Sequence, residues 1–175
     1  MSMKRRENDY RIVFLIGLIG IAIVGTIWHF VYDWINENQI AGYFFPISES
    51  VFEHTKILFY PFLLFGIYAR YRLREKYSGI THASLEGSLI APIVMTILFY
   101  TYQGVFGGGR MWVDILIFYV SVAVGIGVMY RRMEKEPREN ANMSTVVLVI
   151  LNLLVFLTYL FFTYRNSGTG IFMVP

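Results

Sequence analysis

Two groups of ionisable residues lie in or beside apolar segments that are long enough to cross a membrane. The first group is His29 with Asp33, and the second is Glu49, Glu53, His54 and Lys56. A charged side chain at bilayer depth is costly, so residues of this kind indicate a functional site by default. Both groups fall near the same end of two successive predicted spans, and we therefore expect them to contribute to one site.

Histidine and carboxylate side chains in this arrangement are typical of metal chemistry. The chain has no cysteine, so a metal would need imidazole, carboxylate or backbone oxygen ligands. We predict that His29, Asp33 and His54 hold a divalent metal such as zinc. Glu49 and Glu53 are the predicted catalytic carboxylates, because a carboxylate beside metal-bound water can act as a general base.

Two further residues are candidates for binding a substrate. Lys56 lies inside the second span, where its ammonium group would repel a metal but could bind an anionic substrate group. Asp114 lies in the first turn of the fourth span, where the helix dipole also favours an acid. Asp114 and Lys56 are therefore predicted to contact the substrate.

Structural roles explain several of these residues equally well. His29 and Asp33 are four residues apart on one helical face and could form hydrogen bonds between helices. Ser50 and Glu53 fit a capping box, in which the serine caps the helix and the glutamate reaches back to it. A metal-free hydrogen-bonded network that joins the first two spans therefore remains an alternative to a metal site.

The composition predicts an all-α integral membrane protein. Of the 175 residues, 56% are hydrophobic and 15% are charged, against about 25% charged in soluble domains. A helix needs about 20 apolar residues to cross the hydrocarbon core. On that criterion we predict one transmembrane domain over residues 1–175, a bundle of five helices at 10–36, 50–70, 82–104, 111–130 and 143–164.

Loop charges predict the orientation of this bundle. Basic residues cluster before the first span, after the second and between the fourth and fifth, whereas the opposite side carries two, Arg110 and Arg165. The positive-inside rule then places the N-terminus in the cytoplasm and the C-terminus outside, in a multi-pass protein of the cell membrane. A second pair, His82 and Glu86, would lie at the cytoplasmic end of the third span.

The first 60 residues carry a resemblance to a family. The stretches His29–Trp34 and Pro46–Lys56 resemble a pattern in small bacterial integral membrane proteins of an uncharacterised family, H-F-x-Y-x-W followed by P-x-N-E-S-x-W-E-H-x-K. Ser48 and Phe52 stand here in place of the Asn and Trp of that pattern. The resemblance implies a bacterial membrane location. A weaker likeness is to membrane hydrolases of the adiponectin-receptor and ceramidase type, which have more spans and additional histidines that this chain lacks.

Three classes of function follow from a polar site near the outer leaflet. The most specific is a membrane-embedded metal-dependent hydrolase of a lipid-like substrate. The alternatives are a transporter or a module that binds a small solute or proton, and an accessory subunit of a membrane complex. The expected partners are the lipid bilayer and either a second copy of the chain or another membrane protein. The net charge of +3 gives no reason to expect nucleic acid.

Overall fold

In a computed structural model, the described residues (3–75, 77–133, 141–165 and 168–174) form helices and their connections, with no strand. The five α-helices are α1 (Met3–Trp34), α2 (Val51–Leu73), α3 (Ile80–Phe106), α4 (Met111–Met133) and α5 (Ala141–Phe162). Short 3-10 turns lie at Ala41–Tyr43 and Gly170–Phe172. The prediction of an all-helical fold is confirmed. Three of the basic residues that follow the second predicted span or lie between the fourth and fifth, Lys76, Lys135 and Arg138, lie outside the described residues.

Within the described part of the chain, four helices are long and apolar enough to cross a membrane. They are Tyr10–Trp34, Ile80–Phe106, Met111–Met133 and Met143–Phe162. Their outward faces carry large apolar side chains in numbers that a soluble protein would bury, such as Ile12, Ile93 and Val147. The chain is therefore a multi-pass membrane protein by helix length and composition.

The helix α2 is the most enclosed element of the bundle. Leu58, Phe59 and Phe62 are fully buried, and so are the charged residues Glu53 and Lys56. These charges lower the mean hydropathy of α2, which explains why it is not among the four strongly apolar helices. Enclosure by neighbouring helices is what such a helix requires, because its charges need protein partners in place of lipid.

Small residues set the spacing between α1 and α2. A side chain at Gly25 would meet the backbone oxygen of Ile57 at 2.6 Å, and one at Gly17 would meet the ring of Phe65. Gly17 faces Phe65, and the later residue Gly25 faces the earlier residue Ile57. The two helices are therefore antiparallel neighbours. Pro61 has no N–H to donate to the oxygen of Ile57, and Gly25 lies next to that oxygen.

The helices α3, α4 and α5 complete the bundle. Gly125 of α4 packs against Phe62 of α2 and Ala91 of α3. The helix α5 is attached to α3 by Asn152, whose side-chain oxygen accepts a hydrogen bond of 2.6 Å from Ser88. The α1–α2 connection, the α3–α4 connection and the end of α5 lie at the same end of the bundle, hereafter the site end.

Candidate functional site

The local structure around Ser50 determines which way the polar residues at the start of α2 point. Ser50 caps the helix, since its hydroxyl accepts a hydrogen bond of 3.3 Å from the backbone N–H of Glu53. The predicted capping box is only half formed, because the Glu53 carboxylate accepts from the N–H of Ile47 at 2.9 Å instead of reaching back to Ser50. Glu49 precedes the cap and is not helical, so it does not share the helical face of Glu53.

Three of the predicted residues come together as one cluster. Nε2 of His29 lies 3.7 Å from Oε1 of Glu49, and Nε2 of His54 lies 3.3 Å from Oε2 of the same carboxylate. The two imidazole rings are 4.9 Å apart, centre to centre. One potential ligand atom from each residue lies within 4.8 Å of the other two. We call His29, Glu49 and His54 the His–Glu–His cluster.

Hydrogen bonding defines which ring nitrogen of His54 carries a proton. Its Nδ1 lies 3.0 Å from the backbone oxygen of Ser50. A carbonyl only accepts hydrogen bonds, so Nδ1 carries the proton and donates it. In the neutral ring, Nε2 then presents a lone pair to the Glu49 carboxylate. Two acceptors that face each other need a cation between them, either a proton or a metal ion.

Glu49 is the cluster's connection to solvent. Its side chain is 66% exposed, whereas those of His29 and His54 are 27% and 26% exposed. The contact with His54, which is a hydrogen bond when Nε2 is protonated, and the neighbouring imidazoles lower the pKa of Glu49, and these effects outweigh the opposing effect of burial. Glu49 is thus ionised at neutral pH and supplies the negative charge that a bound cation requires.

A large cavity opens beside this cluster. It has a volume of about 740 Å³ and lies between α1, α2, α3 and α4. Its polar lining consists of the His–Glu–His cluster with Thr26, Gln103, Asp114 and Tyr119, and its walls are apolar side chains such as Met95 and Phe118. One oxygen of Asp114, Oδ1, is buried without a hydrogen-bond partner among the described residues. The cavity is within the size range of small-molecule sites and has a few converging polar groups, as such sites do.

The other predicted site residues lie elsewhere. Asp33 is exposed to solvent near the end of α1 and is not among the mutually close ligand atoms. Glu53 and Lys56 form a fully buried ion pair of 2.7 Å on a different side of α2. Lys56 also donates to the backbone oxygen of Gly42 at 2.7 Å and to the hydroxyl of Thr163 at 2.8 Å. This pair joins α2 to the α1–α2 connection and to the residues that follow α5.

The residues of the second predicted pair, His82 and Glu86, contact different neighbouring helices. His82 lies 3.3 Å from the hydroxyl of Thr145 on α5, and Glu86 lies 3.0 Å from Arg132 on α4. Each residue therefore contacts a neighbouring helix, far along α3 from the site end.

Sequence reasoning missed the part of the cavity that α3 contributes. Gln103, Met95 and Phe99 line it, and these residues lie on α3 at helical spacing. Gln103 could have been noticed, because it is a polar residue near the end of an apolar helix and directly precedes the glycine-rich α3–α4 connection. Nothing in the sequence distinguishes Met95 and Phe99 from core residues.

The fold and the site define an all-helical, multi-pass membrane protein with a His–Glu–His cluster beside a largely apolar cavity. The chain belongs to the family described as "Family of unknown function (DUF6512)", whose model matches residues 1–173. The expected membership of an uncharacterised family is thus confirmed. Comparisons with curated proteins and with solved structures give no match.

Proposed function

We propose that this protein is a membrane-embedded hydrolase that uses a divalent metal such as zinc to cleave a lipid-like substrate. The observation that carries the proposal is the convergence of His29, Glu49 and His54 beside a cavity of about 740 Å³. Two imidazoles and one carboxylate are a common ligand set for catalytic zinc, and three protein ligands leave a fourth position open.

The distances within the cluster favour a metal over a direct ion pair. Zinc–ligand bonds of about 2.0–2.1 Å in tetrahedral geometry place neighbouring ligand atoms roughly 3.3 Å apart. The observed separations are 3.3 and 3.7 Å, whereas a charge-assisted N–H···O hydrogen bond is about 2.7–2.9 Å long. The two contacts end on different oxygens of Glu49, and one ligand atom from each residue lies within 4.8 Å of the other two, so a small closing movement would bring all three side chains onto one ion.

Within this proposal Glu49 is a ligand, and Asp114 takes the role of general acid and base. A bound ion would lower the pKa of a coordinated water to about 7 and polarise a substrate carbonyl. Asp114 accepts a proton from the attacking water as the water oxygen adds to the carbonyl carbon. It then returns that proton to the leaving oxygen as the C–O bond breaks. The unpartnered Oδ1 of Asp114 supports this assignment.

Replacing Asp114 with Asn should separate catalysis from metal binding. Asn keeps the shape of the side chain but cannot accept the proton, so hydrolysis of p-nitrophenyl butyrate should fall at least about 100-fold. Zinc content, measured by elemental analysis, should stay at one equivalent. Equal rates in the variant and the wild type would exclude Asp114 from the chemistry, and loss of zinc would make it a ligand.

The Glu53–Lys56 pair has a structural role in this proposal. Both side chains are fully buried and paired with each other, and neither lines the cavity, so neither is available to a substrate. If no metal binds, the alternative is a module that binds a proton or small solute, since Glu49 is open to solvent and shared between two imidazoles.

We also propose that α2 crosses the bilayer with the other four helices, which puts the N-terminus inside and the C-terminus outside a bacterial cell membrane. The chain has no cysteine, so single cysteines can report the topology without background. A membrane-impermeant maleimide added to intact cells should label Gly108→Cys in the α3–α4 connection and not Ser78→Cys in the α2–α3 connection. Labelling of Ser78→Cys from outside would overturn this topology.

A further inference from the structure

A second cavity lies along the surface between α1 and α4, next to the large cavity at the His–Glu–His cluster, hereafter the site cavity. It has a volume of about 550 Å³ and follows Leu18, Ala22 and Thr26 on α1 and Tyr119 and Val122 on α4. We call it the α1–α4 groove. Thr26 is its most polar residue on α1, and the Thr26 hydroxyl already donates to the backbone oxygen of Ala22 at 2.8 Å. The surface of the groove is therefore apolar in practice.

The groove borders the site cavity. Thr26 and Tyr119 line both, and His29 of the His–Glu–His cluster lies one helical turn beyond Thr26. Both helices that form the groove are among those long and apolar enough to cross a membrane. The medium at the mouth of the groove is consequently the hydrocarbon of the bilayer, so a molecule can enter it sideways from the membrane.

The length of the groove matches one leaflet. Leu18 and Thr26 are eight residues apart, which at 1.5 Å per residue is about 12 Å. Half of a hydrocarbon core about 30 Å thick is roughly 15 Å. A transmembrane helix of a partner protein is about 10 Å across. To pack here it would need a channel along the whole of α1, but this groove ends near Leu18. Its dimensions thus fit a single hydrocarbon chain.

We propose that the α1–α4 groove holds one acyl chain of a bilayer lipid and thereby places the polar part of that lipid at the His–Glu–His cluster. The placement of the polar part rests on the proposed function, whereas binding of the chain requires only the groove. The substrate is then an amphiphile with an ester bond near its headgroup, and it is taken from the leaflet that faces the site end.

Photocrosslinking in liposomes tests this proposal. The protein is reconstituted in phosphatidylcholine vesicles that contain a phosphatidylcholine with a diazirine at the end of one acyl chain. After irradiation, label should concentrate on the peptides that contain Leu18–Thr26 and Tyr119–Val122. Uniform labelling of all exposed apolar helix faces would overturn the proposal. Labelling by a free diazirine fatty acid in a parallel experiment, but not by the phospholipid, would overturn the assignment to a bilayer lipid.

A variant in the groove and a matched variant outside it test whether the crosslinked label lies in the groove. Ile23 lines the groove and is 54% exposed, whereas Ile67 on α2 is 69% exposed and lines neither cavity. Ile23→Trp should remove the preferential labelling of the groove, and Ile67→Trp should leave it unchanged. Ala22→Phe, which fills the groove from its floor, gives a second variant with the same expected loss. Preferential labelling that survives both groove variants would contradict the proposal.

Zinc content of the same samples separates this inference from the proposed function. Ile23→Trp should retain the zinc of the wild type, because the groove residues are not ligands. Groove labelling without zinc binding would overturn the metal-dependent hydrolase and support the lipid groove. Zinc binding without groove labelling would overturn the lipid groove alone.

Discussion

Replacing His54 with Ala should abolish stoichiometric zinc binding and, with it, hydrolysis. Loss of residues that merely orient a ligand costs about 10- to 100-fold in metal affinity, so loss of the ligand itself should exceed about 100-fold. His54 is already held in position by its hydrogen bond to Ser50, so its Nε2 is the best oriented of the proposed nitrogen ligands. Equilibrium titration with zinc against a competing chelator measures the effect.

The chain supplies a matched control for this variant. It has three histidines, and the one outside the cluster, His82, contacts Thr145 on α5. His82→Ala should bind zinc as the wild type does. Equal zinc affinity in His54→Ala and His82→Ala would contradict the assignment of the ligands. Glu49→Gln should lose affinity as well, because the amide keeps the shape of the side chain but removes the charge.

Replacing Lys56 with Met should be the most destabilising single change among the polar residues described here. The ammonium group bonds to Glu53, Gly42 and Thr163 and is fully buried. Methionine leaves the Glu53 carboxylate buried without its counter-charge, and breaking a buried ion pair in this way costs about 3–5 kcal/mol. Chemical unfolding of the purified protein in detergent, monitored by circular dichroism, measures the loss.

A second substitution should restore much of that stability. In the double variant Glu53→Gln with Lys56→Met no buried charge remains, and removal of both partners of a buried pair is often close to neutral. The double variant should therefore be more stable than Lys56→Met alone. Zinc affinity should be unchanged in any of these variants that folds. A Lys56→Met protein as stable as wild type, or one that folds but loses substrate binding selectively, would contradict a structural role for the pair.

The helices could be predicted from the sequence because the bilayer imposes a length on apolar segments. The second span was expected at 50–70 and α2 is Val51–Leu73, while the first was expected at 10–36 and α1 ends at Trp34. The same requirement for an apolar segment explains why α2 is not among the four helices that are long and apolar enough to cross a membrane. Its buried Glu53 and Lys56 are tolerated only because neighbouring helices enclose them.

The candidate site was predictable in part. His29, Glu49 and His54 were predicted as site residues, but Glu49 was predicted as a catalytic carboxylate together with Glu53. Spacing along the sequence could not show that Glu49 lies next to both histidines, because Ser50 starts the helix and the Glu49 backbone before it is not helical.

The spacing of His29 and Asp33 also suggested a pair, yet Asp33 is exposed near the end of α1. A four-residue spacing defines a shared face, but the surroundings decide whether that face meets protein or solvent. The cavity itself could not be foreseen, because its walls come from four helices whose relative positions depend on contacts such as those of Gly25 and Gly125.

Zinc K-edge X-ray absorption of the purified wild-type protein, loaded with one equivalent of zinc, tests the central claim most directly. The His–Glu–His cluster predicts a four-coordinate ion with two imidazole ligands, one carboxylate oxygen and one further light-atom ligand at about 2.0–2.1 Å. The multiple-scattering signal of the two imidazoles should fall by half in His54→Ala reconstituted at high zinc concentration. A wild-type protein that retains no zinc after careful loading, or whose bound zinc lacks two imidazole ligands, would contradict the account.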